Sequence, residues 1–393
     1  RNTNFTASGR VDYSDVAVLQ VEEKQLVSRR LLPRDIIIER SGGGPSQPVG
    51  RVVFFDRDDG VFSHSNFTSR LRVLDTDRFE PLFVFFFLLY FHDSGQTDDL
   101  QRRTTGIRNL DWRAYREVAC IPLFDLNEQW QIAAFLSAMQ RAIERQERLI
   151  SLTAELKKAL MCKLFTEGTR SEPLKETEFG LIPQSWKVER IGAVCRSIVP
   201  GRNKPRIFDG DIPWLTTPEI KRLTYIRDSL PSRRVSRKHL DEIGGRIVPA
   251  NSVIMTCVGE FGIVAINLLP LVINQQLHAF VCPDYLNPYF LCQMLRTRST
   301  YMTQIAHKTT VPYLNKSKCE SVPIVIPSVE EQNEIATLLQ RADARVDVAR
   351  RQKQCFEGLF RTLLHQLMTS QIRVDDLDLS ALEEPELEPA GAA

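Results

Sequence analysis

From Glu128 onward the chain repeats itself at a constant spacing of 203 residues. Glu128-Gln129 returns as Glu331-Gln332, Ile132 as Ile335, Leu136 as Leu339 and Ile143 as Val346. Leu156, Leu160 and Leu164 return as Leu359, Leu363 and Leu367, with no gap over almost forty residues. Upstream the match continues with a drifting offset, as loops of unequal length require. Ile121-Pro122-Leu123 answers Val322-Pro323-Ile324, Thr104-Thr105 answers Thr309-Thr310, Asn66 answers Asn274, and Pro81 answers Pro288 at the start of an apolar run. Leu32-Pro33 and Ile36-Ile37-Ile38 answer Val248-Pro249 and Ser252-Val253-Ile254, and glycines follow in both copies. A chain written twice is expected to fold as two similar units. Residues 186–215 have no counterpart ahead of Arg1, so the first copy is expected to be truncated at its N-terminus.

Each copy has two parts. The first is strand-rich, with short β-branched runs and Gly/Pro turns. The second carries apolar residues at three- and four-residue spacing without a proline, which predicts long helices over about 128–165 and 331–370. At about 1.5 Å per residue such a helix runs roughly 55–60 Å. Each stripe needs a partner, and the other stripe is the economical one. Ile132, Leu136, Ile143, Ile335, Leu339 and Val346 are therefore expected to form a coiled-coil-like core between the two helices, taken as antiparallel, with a parallel pair as the alternative. The expected class is α+β. The expected divisions are a first strand-rich domain at 1–124, a helix at 125–172, a second strand-rich domain at 173–327, a helix at 328–372 and a disordered acidic tail at 373–393.

Composition narrows the function. The net charge is +2, but residues 374–393 hold seven acids and no base, so the remaining body is basic. That suits a polyanionic partner. Eight cysteines are scattered without C-x-x-C spacing, which favours reduced thiols in cytosol over zinc or disulfides. The longest apolar run, Leu82 to Phe91, is half of what a bilayer span needs and predicts a buried helix opened by Pro81.

The segment Val322-Pro323-Ile324-Val325-Ile326-Pro327, followed by Glu330-Glu331-Gln332 and Ile335-Ala336, resembles the sequence after each target recognition domain in specificity subunits of type I restriction–modification enzymes. Ile121-Pro122-Leu123-Phe124 with Asn127-Glu128-Gln129 is a weaker form. Gly180-Leu181-Ile182-Pro183 with Trp186, Asp211-Ile212-Pro213-Trp214-Leu215, Asn274-Gln275-Gln276 and the loop from Thr309 to Asn315 are similar to further positions of that family. The resemblance covers about residues 1–372. It implies a non-catalytic, cytoplasmic subunit with two target recognition domains, each reading half of a split double-stranded DNA site. It also implies partners: methyltransferase subunits, two of them, docked on the helices, and a restriction subunit that can join. S-adenosylmethionine would then belong to the former and ATP with Mg to the latter, with no cofactor in this chain and no membrane contact.

Candidate DNA-contacting residues follow from chemistry. Arg and Lys hold phosphates or read guanine, and Asn reads adenine. In the first copy these are Arg1, Asn2, Asn4, Ser41, Gly42, Gly43, Arg102, Arg103, Thr104, Thr105 and Arg108. In the second they are Arg202, Asn203, Lys204, Arg206, Thr216, Thr217, Arg233, Arg234, Lys308, Thr309, Thr310, Tyr313, Asn315 and Lys316. The alternative for each is a solvated loop. Two enzyme alternatives are weighed: Asn287-Pro288-Tyr289-Phe290 as part of an adenine-methyltransferase motif, and Asp211, Glu219 and Lys221 as a nuclease-like set. No catalytic or metal-binding residue is expected. A third class is a coiled-coil adaptor that binds only proteins.

Overall fold

The computed structural model describes residues 1–44, 47–104, 107–178, 180–201, 203–221, 223–227 and 231–377; of Gln25, Arg103 and Thr104 it describes the backbone alone. The chain forms two compact units, Arg1–Ile150 with Val348–Ala393, and Ser151–Asp347.

The first unit is built on an antiparallel sheet in the order Val52–Phe54, Ile36–Glu39, Thr68–Leu71. Against it packs the helix Pro81–Asp93, apolar on nearly every side, which must therefore be enclosed. Pro81 occupies its first turn and the Glu80 carboxylate caps it by accepting from the Leu82 N–H at 3.3 Å. Both long helices, Leu126–Glu167 and Val329–Met368, contribute to this core: Ile132, Leu136 and Ile143 from one, Phe360, Leu363 and Leu367 from the other. Glu128 meets Arg373 and Glu147 meets Lys353, each at 2.9 Å, so the two stretches run antiparallel.

The second unit repeats this plan at greater size. Its main sheet has the order Arg196–Ile198, Leu277–Val281, Val253–Thr256, Val264–Asn267, Tyr225–Ile226. The helix Pro288–Thr297 takes the place of Pro81–Asp93. A smaller sheet joins Arg234–Val235, Ile212–Leu215 and Val272–Ile273, and Lys187–Arg190 pairs with Pro323–Ile326. Ile335, Leu339 and Leu164 lie in the core with Phe290. Lys157 meets Asp343 at 2.5 Å and the Thr169 N–H donates to Glu331 at 2.9 Å, again an antiparallel pair.

The expected core of six stripe residues is corrected: Ile132, Leu136 and Ile143 lie in the first unit's core, and Ile335 and Leu339 lie in the second unit's core, each with its strand-rich body. Val346 is 7% exposed. Leu156 and Leu359 correct the expected stripe: they are 63% and 45% exposed. The expected tail also starts late. Arg373 pairs with Glu128, Val374 is buried, and Val374–Asp376 forms a short 3-10 turn; residues from 378 lie outside the described residues.

One duplicated contact ties each long helix to its body. The Gln129 Oε1 accepts from the Glu80 N–H at 2.9 Å, and its Nε2 donates to the carbonyls of Arg78 and Phe124. The Gln332 Oε1 accepts from the Asn287 N–H at 2.9 Å, and its Nε2 donates to the carbonyls of Tyr285 and Pro327. Both glutamines are fully buried. Each binds the N-cap residue of a proline-opened helix, a carbonyl two residues earlier, and the end of the segment that leads into its own helix.

Candidate nucleic-acid interface

In the first unit a three-stranded sheet gathers most of the candidates. Ser41–Gly43 pairs with Ile107–Leu110, which pairs with Gln101–Thr104, setting Arg102 opposite Asn109 and Arg103 opposite Arg108. A two-stranded basic ribbon of this kind has the dimensions to enter a major groove. The Ser41 hydroxyl donates to Asn109 at 2.5 Å. Gly42 has φ +96°, and a Cβ there would lie 3.0 Å from the Asn2 amide nitrogen, so Asn2 sits against this sheet. Gly43 is buried, and its bare Cα makes room for the Gln47 carbonyl and Val49. Thr105 lies outside the described residues.

Two side chains here are already committed. Asn4 is 7% exposed and donates to the carbonyls of Asp12 and Asp15, which corrects its place among the DNA-contacting candidates: it holds a loop. Asn2 donates to Glu39 at 2.8 Å, beside Arg51, which grips the same buried carboxylate with two nitrogens. Arg1 is exposed. Arg102 reaches Asp111 at 2.5 Å. The Asp111 carboxyl is held below its ordinary range first by the Ala114 N–H, which it caps, and then by Arg102.

In the second unit the basic residues meet aromatic rings. Arg233 lies over Phe208 at 5.3 Å and over Trp214 at 5.8 Å, and Lys204 lies over Trp214 at 5.6 Å. Stacking on a ring fixes a cation without consuming its hydrogen bonds. Sequence reasoning missed Phe208; a Trp and a Phe amid basic loops were the available signal. Arg234 donates to the Asp211 carbonyl at 3.0 Å, and Asn203 and Arg206 are exposed. Arg202 lies outside the described residues.

From Trp214 the strand runs to Thr216 and Thr217. The Thr216 hydroxyl donates to Glu219 at 2.8 Å in a reciprocal cap. The Thr217 hydroxyl donates to Gln276 at 3.1 Å. The Gln276 carbonyl accepts from the Cys257 N–H, and the Cys257 carbonyl accepts from the Leu314 N–H, which brings the basic loop onto the same connected surface. In that loop Tyr313 stacks on His307 with centroids 4.8 Å apart, and the Thr309 hydroxyl donates to the Val311 carbonyl. Lys308 and Thr310 are exposed. Lys316 pairs with Glu320 at 3.5 Å.

Asn315 is exposed and also serves as a cap: its Oδ1 accepts from the Lys318 N–H at 2.9 Å. It stands where Asp111 stands in the first unit, at the start of a short helix. Asn315→Ala is therefore expected to cost about 1 kcal/mol of stability in urea unfolding, and a loss confined to DNA affinity would contradict the capping role.

The enzyme motifs are absorbed by structure. The Asn287 Oδ1 accepts from the N–H groups of Tyr289 and Phe290, and its Nδ2 donates to Asn333. Glu219 is the cap partner of Thr216, and Lys221 pairs with Glu260 at 3.0 Å. Among the described residues no cluster of three metal-ligating side chains occurs, and no helix is long and apolar enough to cross a membrane.

Residues 183–355 match the family described as Type I restriction modification DNA specificity domain. The chain is 32% identical over 190 residues to the type I restriction enzyme MjaIX specificity subunit of Methanocaldococcus jannaschii, a stretch covering 47% of this chain and 44% of that protein. It is 26% identical over 300 residues to the MjaVIII specificity subunit of the same organism, covering 71% and 68%. The match thus spans less than half of the first relative's length. The S subunit of a type I restriction–modification system from M. genitalium shares the fold, with a TM-score of 0.55 and 15% identity over 86% of this chain and 83% of that one.

Proposed function

We propose that the chain is a type I restriction–modification specificity subunit whose two strand-rich units each read a short stretch of one double-stranded DNA site. One observation carries this reading. At the repeat-equivalent position, just ahead of the short helices capped by Asp111 and Asn315, both units present a basic segment: the ribbon with Arg102 and Arg108, and the loop with Lys308. Affinity would come mostly from Lys and Arg on phosphates, and selectivity from base edges. Methyltransferase subunits would dock on the long helices and bring S-adenosylmethionine. A restriction subunit, where one joins, would bring ATP and Mg. In this reading the chain recognises and does not catalyse, and it works in the cytoplasm. The spending of Asn287, Glu219 and Lys221 on structural contacts supports the non-catalytic part.

The test is duplex binding by the chain in complex with its methyltransferase partner, with the target taken from methylome sequencing of the source organism. A split motif, bound at least ~10³-fold more tightly than random duplex, is expected. Absence of DNA affinity even at low salt would leave a protein-only adaptor. Within that assay Lys308→Ala is expected to weaken target and random duplex alike and to shallow the salt slope by about one. A loss selective for the target would assign Lys308 to base reading instead.

A further inference from the structure

The smaller sheet of the second unit carries a platform of two aromatic rings. Trp214 is 2% exposed and lies in a core with Val235, Leu240 and Val272, against which Phe208 packs. The centroids of the two rings are 5.1 Å apart and their planes cross at 41°. A buried indole in a packed core cannot swing, so a group resting on this platform is held in place.

Two cations rest on it. Arg233 lies over both rings and Lys204 lies over the indole. Both side chains are exposed, and neither forms an ion pair among the described residues. Like charges held over one ring repel each other, and an electronegative ligand relieves that repulsion.

The backbone fixes Arg233 as firmly as the rings do. Its carbonyl accepts from the Trp214 N–H at 2.9 Å, and Arg234 and Val235 pair with Pro213 and Ile212 across the sheet. Neighbouring arginines are spent: the Arg234 guanidinium donates to the Asp211 carbonyl, and Arg237 pairs with Asp241. Arg233 is held through the face of its guanidinium instead, which leaves the N–H groups at the rim for a ligand.

That difference selects the ligand. A phosphate is satisfied by a flexible point charge, such as Lys308 on its exposed loop. A planar fork held on a sheet suits two acceptors at fixed spacing, and O6 and N7 of guanine are such a pair.

We propose that Arg233 is a specificity-determining residue that donates with both arms of its fork to O6 and N7 of one guanine in the half-site read by the second unit. This role depends on the second unit being a reader of duplex DNA, as proposed above.

The probe is the complex of the chain with its methyltransferase partner, incubated with a pool of duplexes in which each position of the methylome-derived target is varied in turn. The bound duplexes are sequenced. The parent complex is expected to prefer guanine at one position of one half-site by about tenfold or more. Arg233→Lys keeps the charge and loses the fork. It is expected to abolish that preference while leaving the other positions and the affinity for random duplex unchanged. Arg233→Ala is expected to abolish the same preference. Equal weakening of target and random duplex by Arg233→Ala, with a salt slope shallower by about one, overturns the proposal in favour of a phosphate contact. A guanine preference that survives in both variants overturns it as well. A parent complex that binds duplex without preferring any sequence overturns the recognition reading itself, and the role of Arg233 with it.

Discussion

Gln332→Ala is expected to lower the stability of the second unit by about 3 kcal/mol, although glutamine is ordinarily a surface residue. The side chain is fully buried and makes three bonds to main-chain groups: the Asn287 N–H at 2.9 Å and the carbonyls of Tyr285 and Pro327, both at 3.1 Å. Truncation leaves those groups without their partner at about 1–3 kcal/mol each where water cannot reach them, and water entering the vacated space recovers part of the loss. Gln332→Glu separates the contributions, because it keeps an acceptor for Asn287 but faces two carbonyls with no donor. Gln129→Ala should act alike in the first unit, where Glu80, Arg78 and Phe124 take the same places. Urea unfolding combined with amide exchange assigns each loss to its unit. A change below about 1 kcal/mol in both variants would mean that the glutamines do not anchor the helices.

The same residues show what the sequence makes legible. The duplication could be read because a constant offset persists through the long helices, where insertions would break the packing. Pro81 and Pro288 could be read because proline suits a first helical turn. The destination of an apolar stripe could not. Periodicity identifies a face but not what lies opposite, and Ile132 and Ile335 face bodies that include Phe86 and Phe290 as well as the other helix, while Leu156 and Leu359 face solvent. The role of Gln129 and Gln332 was hidden because their partners are carbonyls up to 51 residues away, invisible to any side-chain pattern.

The candidate site divides along a similar line. Polar loop residues suit nucleic acid and backbone capping equally well, because both need short donors and acceptors free of a helix interior. Asn4 went to the backbone, while Thr216 and Asn315 cap helices. Arg233 and Lys204 remain exposed, held over Trp214 and Phe208 from loops that are distant in sequence. Only folding brings such cations and rings together, so composition could suggest a basic surface but not its layout.

His278 makes the second unit acid-sensitive over a defined window. It sits in the strand Leu277–Val281, 2% exposed, with its ring 4.7 Å from that of Phe280 and its Nε2 2.6 Å from the Ser197 hydroxyl. Burial pushes the imidazole down to about 4; Glu320 opposes that shift and Lys316 adds to it. In the unfolded chain the ring titrates near ~6.5. Between those values the unfolded chain carries a proton that the folded one does not, so stability falls as pH drops through the window and is fully retained above it. The whole window is worth about 3 kcal/mol. His278→Gln keeps a partner for Ser197 but cannot titrate. Unfolding free energies measured at neutral pH and near pH ~4.5 should therefore show the parent losing about 2–3 kcal/mol more than the variant. Carboxylates that titrate lower in the range affect both proteins alike and cancel in the difference. Parallel pH profiles would mean that the folded strand accommodates a charged imidazolium, and that burial of His278 does not govern the acid response of this unit.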